Sequence, residues 1–166
     1  DYSPKVIAPA SAKAGDTITV SVEDFGWLAA DADKYIDIYI DNAYKGYIYH
    51  YNDTTEGMPA AGSEAFQIPY DLSGTVEIRA EYTEGYGENA RTYMAATGIE
   101  IQPASASLSV SPEGRHPGQQ VTLTASGFKP GEYVNFYKKG TLIRWVTANG
   151  EGTAAINETL APDDTG

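Results

Sequence analysis

Gly15-Asp16-Thr17-Ile18-Thr19-Val20-Ser21-Val22-Glu23-Asp24-Phe25 decides the fold, because it returns as Gly118-Gln119-Gln120-Val121-Thr122-Leu123-Thr124-Ala125-Ser126-Gly127-Phe128. Glycine, threonine and the closing phenylalanine keep their spacing in both copies. Ile18, Val20 and Val22 in the first, and Val121, Leu123 and Ala125 in the second, alternate with polar residues. That is the two-residue period of a half-buried strand. β-branched residues at this density also oppose a helix, where they lose side-chain freedom against the preceding turn.

Working outward, Tyr35-Ile36-Asp37-Ile38-Tyr39-Ile40-Asp41 answers to Tyr133-Val134-Asn135-Phe136-Tyr137. Each is followed by a turn and a second strand, Tyr47 to Tyr51 or Leu142 to Val146, so each half contains a hairpin. Asp71-Leu72-Ser73-Gly74 matches Asp163-Asp164-Thr165-Gly166, each after an alternating segment, Glu64 to Ile68 or Thr153 to Leu160. The halves are repeats of one module. The first continues through Thr75 to Tyr82 and Thr92 to Ile101, which completes about seven strands in about 100 residues, the measure of a small sandwich. The second is expected to lack its last hairpin, so the chain is expected to be a piece of a longer protein. Its open strand edges would then meet a partner chain or further repeats. The boundary falls at Gln102-Pro103-Ala104-Ser105-Ala106-Ser107, too short for a flexible tether. The expected domains are 1–103 and 104–166.

Composition agrees with short strands and turns: 17 Gly, 9 Pro and 13 Tyr, with many Val, Ile and Thr. With 0 Cys, disulfides and thiolate metal sites are excluded. Asp1-Tyr2-Ser3-Pro4 carries no basic and apolar leader, and no apolar run approaches the roughly 20 residues of a membrane span. A leader and any anchor are expected outside this segment. The net charge is −12, and 17 acidic against 6 basic side chains place −11 of it at or before residue 103. A field of that sign repels nucleic acid and anionic membrane.

Pro117-Gly118 before the second strand, Ser126-Gly127-Phe128 at its end and Pro130-Gly131-Glu132 before the third make Val110 to Phe136 resemble Ig-like repeats of bacterial cell-wall-anchored surface proteins. Accessory regions of secreted glycosidases carry similar repeats. The resemblance covers both halves and implies an all-β chain of two tandem immunoglobulin-like antiparallel β-sandwiches. It also implies a secreted or wall-anchored, extracellular location and a stalk, spacer or adhesive role. These residues specify turns and strand starts and no chemistry. The first repeat departs from the pattern at Asp24-Phe25-Gly26-Trp27 and in a longer acidic loop, Leu28 to Lys34, which marks it as specialised.

Pleat alternation sends Ile36, Ile38 and Ile40 to one face and Tyr35, Asp37, Tyr39 and Asp41 to the other, while Tyr47, Tyr49 and Tyr51 share a face on the next strand. Exposed aromatics among carboxylates stack on sugar rings, bond their hydroxyls, and make protein hot spots. These seven residues are the candidate binding site, for a glycan or a surface protein. Cross-strand support of a solvent-facing sheet is the plainer role for the same tyrosines. Tyr47 and Tyr51, with His50 between them, resemble in spacing the haem-binding strand of Ig-like haem-transfer domains. Asp24, Asp31, Asp33, Asp53 and Glu56 lie in loops, and their hard oxygens suit Ca²⁺, although no loop has the spacing of a calcium motif. No other cofactor is expected. An intramolecular lysine crosslink, known from surface Ig-like domains, needs a buried lysine beside Asn or Asp, and Lys5 and Lys13 are its candidates. Trp27 and Trp145 occupy non-equivalent places in the repeats and are expected to pack rather than bind.

With His50 and His116 the only histidines, no cysteine and no phosphate-cradling loop, the chain is read as non-catalytic. The expected function is a surface adhesion or stalk segment whose first domain binds through its tyrosine face. A spacer or carbohydrate-binding accessory region of a secreted carbohydrate-active enzyme is the second reading.

Overall fold

The computed structural model describes residues 1–113 and 116–162. It divides into two units, Asp1–Pro103 and Ala104–Gly166. In the first lie β1 (Lys5–Ile7), β2 (Ser11–Lys13), β3 (Thr17–Glu23), β4 (Trp27–Leu28), β5 (Ala32–Ile40), β6 (Ala43–Asn52), β7 (Met58–Pro59), β8 (Gly62–Gln67), β9 (Gly74–Glu84) and β10 (Arg91–Gln102). The second holds β11 (Ser107–Ser111), β12 (Gln120–Ser126), β13 (Tyr133–Lys138), β14 (Thr141–Thr147) and β15 (Ala154–Thr159). Among the described residues no helix is long and apolar enough to cross a membrane.

In the first unit β1-β3-β8 form one sheet and β2-β10-β9-β5-β6 the other. The first strand is split between them: β1 pairs antiparallel with β3, and β2 then runs parallel to β10. Strand sequence and sheet membership together are those of an immunoglobulin sandwich. The two sheets close over Val20, Val22, Phe25, Leu28, Ile36, Ile38, Ile40, Ile48, Ile68, Ile78 and Ile99, all fully buried. Each of these side chains contributes about 1.5–3 kcal/mol by leaving water.

β11-β12-β15 and β13-β14 reproduce part of that plan in the second unit. Among its described residues nothing corresponds to β9 and β10, and Asp163 to Gly166 lie outside the described residues. Its core is smaller: Val134, Phe136 and Ile156 share it with Ala125, Ala148 and Ala154.

Repeat equivalence extends to backbone detail. Asp24 and Gly127 both close the second strand of their unit at positive φ, 59° and 88°. The phenylalanine after each donates its N–H across the unit, Phe25 to Ala60 O and Phe128 to Gly152 O. Both hairpins turn on two residues of positive φ, Asp41 (51°) and Asn42 (66°) in one, Lys139 (48°) and Gly140 (80°) in the other. That is the mirror-image turn whose twist matches the flanking strands. The expected loop from Leu28 to Lys34 is partly strand, since β4 ends at Leu28 and β5 begins at Ala32.

Candidate tyrosine-aspartate binding face

β5 and β6 are paired so that Asp33 faces Tyr51, Tyr35 faces Tyr49 and Asp37 faces Tyr47. Ile36 and Ile48, paired between these rows, are fully buried. The tyrosines therefore lie on the outer surface of the five-stranded sheet. Tyr35, Tyr47, Tyr49 and Tyr51 are 51%, 46%, 47% and 48% exposed. Tyr35 is the hub: its ring meets Tyr47 edge-on at 4.9 Å and 74°, and Tyr49 at 4.8 Å and 44°. Such pairs favour edge contacts because positive ring edges meet negative ring faces.

Carboxylates finish the surface. Tyr49 donates its hydroxyl to Asp33 Oδ2 at 3.2 Å, and Tyr51 donates to Asp31 Oδ1 at 3.4 Å. Lost hydration and then the Asp33 bond push the Tyr49 phenol pKa up, and the Asp31 charge pushes Tyr51 up, so both remain donors at neutral pH. Asp37 lies opposite Glu81 of β9. Its carboxyl pKa is raised, first by burial and then by the Glu81 charge.

Two expected members sit differently. Asp41 is on the turn rather than on the strand face, and its backbone N–H donates to Glu77 O. Tyr39 is half-buried: it packs edge-on against Tyr44 at 5.7 Å and lies under the Arg79 guanidinium at 4.7 Å. Arg79 is in turn held by Glu77 at 2.8 Å and Glu81 at 2.9 Å. Tyr44, Arg79 and Glu81 are members the sequence reading missed. A bulge hides Tyr44, for Tyr39 pairs with Tyr44 while Ile38 pairs with Gly46, and the extra residue Lys45 reverses the parity.

His50, paired with buried Lys34, faces the opposite side from Tyr47 and Tyr51, and its Nδ1 accepts the Ala61 N–H at 3.1 Å. Among the described residues no three His, Asp or Glu side chains group as a metal site needs. Asp24 accepts the Ser3 N–H, while Asp31 and Asp33 take the tyrosine hydroxyls.

Lys5 and Lys13 are exposed, and the buried lysine is Lys34. Its Nζ donates to Phe25 O at 3.0 Å, lies 4.7 Å from the Tyr82 ring centre and 5.6 Å from that of Tyr93, and has Glu84 at 4.0 Å. Burial lowers its pKa, and Glu84 pulls the other way. Gly26 makes room for it: at φ +85° a Cβ would come within 2.8 Å of Nζ. Buried Asn52 ties the adjoining loops together, donating to Leu28 O, Ala29 O and Glu56 O and accepting from Thr54. Trp27, half-exposed, lies against Gly57, where a Cβ would come within 2.3 Å of the indole. Trp145 packs on Tyr133 at 5.3 Å.

No protein-family model and no curated protein matches the chain. Among solved structures, the crystal structure of murine CEACAM1b aligns with 98% of this chain and 86% of that one, at 15% identity and a TM-score of 0.34. The immunoglobulin-like assignment rests on the strand order itself.

Proposed function

We propose that the chain is a non-catalytic adhesion or stalk segment of a bacterial surface protein, and that its first unit binds a ligand on another molecule through the outer face of β5 and β6. The observation that carries this reading is the patch of four half-exposed tyrosines in which Tyr35 packs on the rings of both Tyr47 and Tyr49, with Tyr51 tied to Asp31 beside them. Aromatic rings held in one geometry lose little freedom when a ligand covers them, and they supply large contact area. The flanking carboxylates supply the oriented polar contacts. Sandwich units repeated along a chain suit display away from a surface.

The test is to present the full chain to an array of glycans and a panel of extracellular proteins, with Tyr49→Ala beside it. A ligand whose affinity falls at least about tenfold in the variant, a change of about 1.4 kcal/mol, supports the reading. Ligands held equally by both proteins overturn it. A glycan ligand would place the chain with the accessory regions of carbohydrate-active enzymes.

A further inference from the structure

The face already holds one guanidinium, and the manner in which it does so identifies what the rest of it can hold. Arg79 lies over the Tyr39 ring, with one nitrogen on Glu77 and another on Glu81. An aromatic face beneath and carboxylates at the edge match the planar, many-donor arginine group. One row further along, the same parts recur without a cation: Tyr35 and Tyr47 beside Asp37, and Tyr49 beside Asp33. Among the described residues no lysine or arginine stands within ion-pair range of Asp31, Asp33 or Asp37. Asp37 is set directly opposite Glu81 on the neighbouring strand, and while Arg79 answers the Glu81 charge, no ion pair among the described residues answers that of Asp37.

We propose that this face docks a cationic polypeptide segment, taking up arginine side chains between the tyrosine rings and the carboxylates of Asp33 and Asp37. The proposal rests on the reading of the tyrosine face as the binding surface and names the class of its partner. Charge complementarity selects that class, since −11 of the net charge of −12 falls at or before residue 103 and steers a basic segment toward this unit. Ring geometry points the same way. Tyr35 and Tyr47 are nearly perpendicular, which breaks up the flat platform a sugar ring would stack on.

The full chain is titrated by calorimetry with three probes: the peptide acetyl-Arg-Gly-Arg-Gly-Arg-amide, its lysine counterpart, and maltoheptaose. The arginine peptide is expected to bind more tightly than the lysine peptide, with affinity falling as salt rises. Asp33→Asn/Asp37→Asn should weaken it at least about tenfold, a change of about 1.4 kcal/mol. Glu23→Gln/Asp71→Asn, which removes the same charge outside this face, should leave it unchanged. These Asn variants keep the side-chain shape, and Asp37→Asn relieves the repulsion from Glu81, so lost binding cannot be put down to lost folding. Equal weakening by both double variants would mean a diffuse field and overturn the proposal, as would a wild-type chain that ignores the arginine peptide. Maltoheptaose bound in the peptide's place, and lost in Tyr49→Ala, would overturn the cationic class while leaving the binding face standing. Loss of every array and panel ligand's dependence on Tyr49 would instead remove the face itself.

Discussion

The two hairpins are the same backbone device put to different chemical use. β5-β6 and β13-β14 share the two-residue turn of positive φ and an outward aromatic row. In the first, Tyr35 touches two rings, carboxylates flank the row, and β9 adds Arg79 and Glu81 beside it. In the second, Tyr133 and Trp145 make one ring pair, and the outward neighbour is the neutral Asn135. Twist and register, then, belong to the module, and charge belongs to the copy. Selection for a ligand would act on the second without disturbing the first.

Each unit has its own tryptophan, so Trp145→Phe leaves Trp27 reporting on the first unit and Trp27→Phe leaves Trp145 reporting on the second. The largest effect in that format is expected from the core that supports the acidic face. Ile38→Ala should cost the first unit about 4 kcal/mol in urea unfolding, because a fully buried side chain leaves a cavity between two sheets. A loss under about 1 kcal/mol would mean that the outer rings rather than the core hold this hairpin. Asn52→Ala is next, at about 3 kcal/mol, since it strips partners from several loop carbonyls at once. In the second unit exposed Asn149, just after β14, accepts the Glu151 and Thr153 N–H groups in its own loop, a lesser version of that knot.

Ring contacts should differ between the copies by their number. Tyr35→Ala is expected to cost about 1.5 kcal/mol and Tyr133→Ala about half of that, for two ring contacts against one. Equal losses would erase the contrast. The smallest effect has the opposite sign. The Asp37 carboxyl pKa is raised on folding, so the native state holds that proton more tightly than the unfolded chain does. Its contribution favours folding at low pH and is lost as pH rises through the raised value. Asp37→Asn should therefore stabilise the first unit at pH 7 by less than about 1 kcal/mol, the pair being partly screened by water. The gain should vanish near pH 3.8, the carboxyl's ordinary value. A variant less stable than the wild type at pH 7 would mean that Asp37 accepts a bond worth more than the repulsion.

Strand positions were legible because alternation is a local signal: Ile18, Val20 and Val22 declare a buried face without reference to any partner. Tyr35, Tyr47, Tyr49 and Tyr51 were placed together by the same rule. It fails at Tyr44, because one inserted residue reverses the parity and nothing in the order Tyr44-Lys45-Gly46 announces a bulge except the glycine. Asp41 was misplaced because a turn of positive φ ends the alternation one residue early. Arg79 and Glu81 were visible as outward members of β9, but their meeting with Tyr39 and Asp37 depends on a strand pairing distant in sequence. Lys34, an ordinary charged letter in an acidic stretch, is buried only because Tyr82, Tyr93 and Phe25 arrive from three other segments.

The split first strand has a mechanical consequence. β2 near the start of the first unit and β10 at its end run parallel, joined over Ser11 to Lys13 and Glu100 to Gln102, with further bonds from Glu100 N to Ala10 O and from Ala14 N to Gln102 O. Tension applied at the two ends of this unit draws these strands past each other lengthwise, so the bonds between them share the load instead of parting one at a time like a zipper.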